Sequence, residues 1–184
     1  MSDLNEKIAR ARAKWKYRGD VRPDFAIEPG PGQESVWDYP RPPRVEPDSR
    51  KILIRCESEI VAESMDSIRI LETAGPPVFY LPQKDIDMTK LSDGTGSSLC
   101  EWKGPAKYWT VTVGKTVLEN VGWSYPEPFP GYENISDYIS FYPSRLECYI
   151  EGERVLSQPG GFYGGWVTSE LVGPFKGEKG TEWW

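Results

Sequence analysis

The chain has 184 residues, a formal charge of −6 and 13% aromatic residues, among them 8 Trp and 10 Tyr. That length suits one domain, or one and a half, with a real core, and the charge has the wrong sign for a general nucleic-acid binder. With no His in the sequence, Ser-His-Asp triads, Cys-His dyads and His-ligated zinc sites are excluded, and without a C-x-x-C a structural zinc is not indicated; no metal or other cofactor is expected.

Residues 2–17 read as an amphipathic helix, with Leu4, Ile8, Ala11 and Trp15 on one face and Asp3 and Glu6 as a capping pair. Lys7, Arg10, Arg12, Lys14, Lys16 and Arg18 outnumber Asp3, Glu6 and Asp20, so this end is basic. It either docks on the acidic remainder of its own chain or serves as a surface for a partner, a second copy or an anionic membrane. The start, "MSDLNEKIAR", lacks the apolar core of a signal peptide, and no apolar run approaches the ~18 residues of a membrane span. Three widely spaced cysteines (56, 100 and 148) suit reduced thiols, and the cytoplasm is the expected location.

Residues 21–50 hold seven prolines, which rule out a continuous helix or a central strand. They are expected to form an extended arm anchored by Trp37 and Tyr39, two residues apart and therefore on one side. From residue 51 the pattern is β. "KILIRC" alternates Ile52, Ile54 and Cys56 against Leu53 and Arg55, and "EIVAES", "SIRILE" and "PVFYLP" follow as short strands. Residues 84–91 suit one or two helical turns. "KYWTVTV" (107–113) turns through "GKT" into "TVLENVGW" as a hairpin, and "YISFY", "RLECYI" and "ERVLS" are further strands. The predicted fold is mainly β, with compact twisted antiparallel sheets or a half-open barrel, an N-terminal helix and a Pro-rich arm.

The motif W-x-Y-P-x-P occurs twice, at Trp37 and at Trp123. After the first come "ESEIV", "GPPVFY", "WKG" (102–104) and Trp109. After the second, in the same order, come "EGERV", "PGGFY", "FKG" (175–177) and Trp183. Preserved order points to an internal duplication with a truncated second copy. The chain then divides into a helix (1–20), an arm packed on the core (21–50), a complete β unit (51–145) and a partial one (146–184).

Several residues carry candidate chemistry. Cys100 lies three residues before Lys103, and a nearby ammonium favours a thiolate, which makes the pair a candidate nucleophile or redox group. The competing reading is a buried Cys acting as a small hydrophobe. Lys103, followed by a glycine that permits close backbone approach, either snorkels along an aromatic face or enters a pocket to meet an anion or Glu72. Tyr80, Trp102, Tyr108, Trp109, Trp123 and Tyr125 are core or the walls of a cleft. On a strand, Tyr108 and Trp109 must face opposite ways. "DGTGSS" (93–98) lacks the G-K-[ST] of a phosphate-binding loop.

The stretches "VAES" (61–64), Glu72, "VFYLPQKDID" (78–87), "LCEWKGPAKYW" (99–109), "GWSYPEPFP" (122–130) and "ISFY" (139–142) resemble the domain of unknown function (DUF) 427 family, and the flanks resemble its longer members. The resemblance implies a fold similar to the β-tent architecture shared by zinc-carrying proteins such as methionine sulfoxide reductase B and the drug-binding domain of cereblon. Their paired C-x-x-C ligands are missing here, and the family brings no established activity. Three functions follow as expectations. The first is a β module that binds a small ligand through Tyr80, Trp102, Tyr108, Trp123 and Tyr125, with Glu72 and Lys103 as polar anchors. The second is a small enzyme using Cys100 and Lys103, and the third is a structural interaction protein docking through its helix and arm.

Overall fold

A computed structural model describes residues 2–184. The helix spans Ser2–Ala13, shorter than the periodicity predicts. Tertiary contacts end it. The Lys16 amide bonds the Trp183 carbonyl at 3.0 Å, and the Trp15 indole N–H donates to Glu101 Oε1 at 2.6 Å. Arg12 Nε also donates to the Glu101 carbonyl at 2.9 Å, so the C-terminal end of the helix is docked on its own chain. Leu4 stays exposed. No helix among the described residues is long and apolar enough to cross a membrane.

The Pro-rich segment lies against the body, but not as a uniformly extended strand. Val36–Asp38 form a 3-10 turn, capped where Ser35 Oγ accepts from the Trp37 amide at 3.4 Å. Trp37 is fully buried and Tyr39 nearly so, and the Trp37 indole donates to the Pro174 carbonyl at 3.1 Å. Glu34–Ser35 pairs in parallel with Leu171–Val172. Arg44–Asp48 then joins the main sheet at its edge, the position where Pro47 costs no ladder bond.

That sheet has seven antiparallel strands in the order Arg44–Asp48, Ser67–Leu71, Val78–Pro82, Tyr138–Phe141, Thr116–Ser124, Gly104–Val113 and Leu91–Cys100. A four-stranded sheet, ordered Glu153–Arg154, Glu147–Ile150, Ile52–Cys56 and Glu59–Ser64, packs on one face of it. Neither sheet closes into a barrel. The core between them takes the inward residues of both: Ile52, Ile54 and Cys148 from one, Phe79, Leu81 and Val111 from the other. Trp109 packs against this core, while its neighbour Tyr108 faces the opposite side of the sheet, as alternation requires.

The hairpin at Val113 and Thr116 turns through Gly114 at φ 57. Where one or two helical turns are expected over 84–91, two 3-10 turns form, Gln83–Asp85 and Met88–Lys90. The strand Leu91–Cys100 is the element that local pattern hides. Its Gly/Ser composition weakens strand propensity, and a bulge between Asp93 and Ser97 breaks its alternation. It is held from outside, where Asn120 Oδ1 accepts the Thr95 amide at 2.9 Å and Asn120 Nδ2 donates to the Thr95 carbonyl at 3.1 Å.

Candidate functional site

The second face of the seven-stranded sheet carries an aromatic cluster and, above it, a cavity of about 860 Å3. Its floor is built by alternation: Ile70, Val78, Tyr80, Tyr108 and Trp123 come from four strands and point the same way. The Trp123 indole donates to the Tyr80 hydroxyl at 3.1 Å, which fixes both rings. The roof is Trp15 after the helix, the loop 161–164, Lys176 and Trp183.

Cys100 and Lys103 flank the tight turn between the last two strands of the sheet, where Cys100 pairs with Gly104. The Lys103 amide donates to Cys100 Sγ at 3.5 Å, and the Lys103 carbonyl accepts from Phe129 at 3.0 Å. Gly104 sits at φ 105, a conformation L side chains rarely adopt, which lets the chain reverse and send Lys103 inward. The Lys103 ammonium lies 5.7 Å from the Tyr125 ring centroid.

Lys176 enters the same cavity from the other end of the chain. Its amide donates to the Ala74 carbonyl at 2.7 Å, and its own carbonyl accepts from Gln158 Nε2 at 2.7 Å. Its ammonium sits 3.5 Å from the Trp15 ring centroid and 4.4 Å from that of Tyr163. The Arg41 guanidinium lies 4.1 Å from the same Trp15 centroid, so one indole carries two cations. Arg41 is neutralised by Glu72, whose Oε1 accepts from Nε at 2.9 Å, and is braced by the Thr73 and Tyr17 carbonyls. Glu72 therefore spends its ion pair on Arg41 and not on Lys103.

The two lysines differ electrostatically. At Lys103 burial works against the ammonium, and the coulombic pull of Cys100, Tyr125 and Tyr80 as they ionise, with that of Glu72, carries the pKa well above the ordinary value. At Lys176 burial wins, because the pull of Glu72 is opposed by the push of Arg41, and the pKa falls from 10.5 to about 8. Burial also raises the phenols of Tyr80, Tyr142 and Tyr163 to about 12, so they stay protonated near neutrality.

Of the residues singled out in the sequence, Glu72, Tyr80, Cys100, Lys103, Tyr108, Trp123 and Tyr125 all line this cavity. Trp102 does not. It is buried within the same aromatic cluster as Tyr80, Trp123 and Tyr125, with the Arg12 guanidinium 4.8 Å from its ring. Arg41, Lys176, Trp15 and Tyr163 were not singled out as site residues. Lys176 and Tyr163 left a signal, as the F-K-G that echoes W-K-G and the F-Y of "PGGFY" that echoes "GPPVFY", and Trp15 stood on the apolar face of the helix. Among the described residues, no group of three or more Cys, Asp or Glu is placed to hold a metal ion.

Fold and cavity together define a two-sheet antiparallel β protein with an aromatic-walled pocket roofed by its chain flanks. A family model described as Domain of unknown function (DUF427) matches residues 44–152, more than half of the chain, and the chain belongs to that family. No curated protein gives a significant match. The matched region contains Glu72, Cys100 and Lys103, whereas Trp15, Arg41, Tyr163 and Lys176 lie in the flanks.

Proposed function

We propose that this chain is a binding module for a small anionic molecule with a flat or apolar body, held in the aromatic cavity. One observation carries the reading. Lys103 and Lys176 are only 8% and 4% exposed, both line the cavity, and among the described residues neither ammonium has a carboxylate within 4.0 Å. Buried charges are ordinarily paired, so two unpaired lysines in one cavity call for an anionic occupant. Tyr80, Tyr108, Trp123 and Tyr125 supply faces for its body, and Glu72 acts through Arg41. The three free thiols are consistent with a reducing compartment such as the cytoplasm.

Tryptophan fluorescence tests the proposal. Aromatic and aliphatic carboxylates and phosphates are titrated against the parent chain, Lys103→Met and Lys176→Met. At least one anion class is expected to change the emission of the parent and to lose most of that effect with Lys103→Met, while neutral isosteres do nothing. The proposal fails if both methionine variants keep every response of the parent.

A second reading uses Cys100 as a thiol nucleophile beside Lys103. It is favoured by the partly buried Cys100 at the cavity wall, with the Lys103 amide donating to its sulfur. We also read W-K-G and F-K-G as copies of one duplicated unit, the complete copy in 51–145 and the partial one in 146–184. Support comes from the hairpin turns at Glu57 and Glu151, both at positive φ, whose leading strands pair with each other.

A further inference from the structure

We infer that Lys176 is a nucleophilic amine that condenses with the carbonyl group of an oxo acid, whose anionic end is held by Lys103. The inference rests on the anion-binding reading above and adds a covalent step to it. Three features of Lys176 support it. Its side chain is enclosed by the Trp15 and Tyr163 rings, with the Arg41 guanidinium on the same indole and no carboxylate within 4.0 Å. Apolar enclosure beside a second cation is the setting that makes a lysine amine nucleophilic. Its backbone is tied on both sides, to Ala74 and Gln158, so this residue of the cavity lining is held on a fixed strut. Its titration near 8, against the elevated value at Lys103, divides the labour, with one amine releasing a fraction of free base near neutrality and the other kept as a cation.

The chemistry balances within the pocket. The Lys176 lone pair forms a C–N bond to the carbonyl carbon, and the carbonyl π pair moves to oxygen. A proton passes from nitrogen to that oxygen, giving a carbinolamine. Its hydroxyl then leaves as water, taking a proton from solvent in the open cavity, and the nitrogen returns one proton to solvent as the C=N bond forms. One amine and one carbonyl yield one imine and one water, with no oxidant or reductant. The carboxylate of the oxo acid meets the Lys103 ammonium, and an aromatic or aliphatic substituent lies on Tyr80 and Trp123.

Reductive trapping of the full chain is the test. The protein is incubated with pyruvate or phenylpyruvate and sodium cyanoborohydride, then digested and mapped by mass spectrometry. The expected result is one adduct per chain on Lys176, formed roughly tenfold or more faster than at any other lysine. Lys176→Arg abolishes it. Lys103→Met slows labelling by phenylpyruvate but not by the uncharged ketone phenylacetone. Adducts spread evenly over surface lysines, or centred on another lysine, overturn the inference in the parent protein without recourse to a variant. Anion-dependent fluorescence without a Lys176 adduct rejects the imine and leaves the binding reading standing. A Lys176 adduct with no preference for the charged ketone overturns the role given to Lys103.

Discussion

Lys103 and Lys176 enter one cavity from distant parts of the chain, and each is followed by a glycine in the left-handed half of backbone space, Gly104 at φ 105 and Gly177 at φ 142. The glycine does two things at the second site. It takes a conformation closed to other residues, and it leaves room for a close crossing of two strands of backbone. A Cβ on Gly177 would meet the Pro159 carbonyl oxygen at 1.9 Å, and one on Gly160 would meet the Gly177 oxygen at 1.8 Å.

Gly177→Ala is therefore expected to lower the melting temperature strongly and to remove the ligand response that depends on Lys176, because backbone atoms cannot step aside as a flexible side chain can. Gly180→Ala is the control. Gly180 also has positive φ, at 94, but a Cβ there meets nothing within 4 Å. It should cost only the conformational strain of a left-handed residue, about 1–2 kcal/mol. Equal melting temperatures for the two variants would show that the crossing is not tight.

Lys176→Met is expected to stabilise the protein at neutral pH. Below about 8 the amine is charged both folded and unfolded, and the folded state bears the full cost of burying the charge. Between about 8 and 10.5 the unfolded chain binds more protons than the folded one, so this cost is progressively relieved as pH rises. The shift corresponds to at most about 3 kcal/mol. Chemical denaturation of the parent and the methionine variant across that range should show the advantage of methionine shrinking toward alkaline pH. An advantage that grows with pH would contradict the assignment. The same titration predicts that reductive labelling of Lys176 accelerates as pH rises through about 8, under the combined fields of Glu72, Arg41, Glu101 and Cys100.

Trp37→Ala should destabilise by about 3–5 kcal/mol, the usual range for a fully buried Trp. Trp37 is 0% exposed, meets the Tyr17, Phe25 and Trp184 rings at 5.1–5.2 Å and bonds the Pro174 carbonyl. The loss should appear as a fall of several degrees in melting temperature. Limited proteolysis of the variant should open near residues 30–45 first. An unchanged melting curve would mean that this ring cluster adds nothing to stability.

Native-state alkylation with iodoacetamide should modify Cys100 alone. Cys100 stands at the cavity wall, whereas Cys56 and Cys148 are buried in the inter-sheet core, where burial also raises both thiols above their ordinary value. An anion that changes tryptophan emission should also slow the modification of Cys100. Rapid labelling of Cys148 without denaturant would argue against the core as described.

Strand alternation was legible in the residues themselves, because it is a local property of period two. Ile52, Ile54 and Cys56 face the core together, and Tyr108 and Trp109 part company, with no information from elsewhere in the chain. The hairpin at Gly114 was readable for the same reason. Elements shaped by distant partners were not. The helix stops at Ala13 because Trp15 and Lys16 are claimed by Glu101 and Trp183, and Leu91–Cys100 becomes a strand because Asn120 and the neighbouring strand hold it. The cavity divides the same way. Its floor follows from alternation along strands, so Tyr80, Tyr108 and Trp123 could be singled out from the sequence. Its roof and its charges depend on Trp15, Arg41 and Lys176, which only chain folding brings onto one indole. No periodicity encodes a contact between residues so far apart. The pairing of Glu72 with Arg41 in place of Lys103, and the burial of Trp102 inside the aromatic cluster with no share in the cavity lining, were likewise decided by packing in three dimensions.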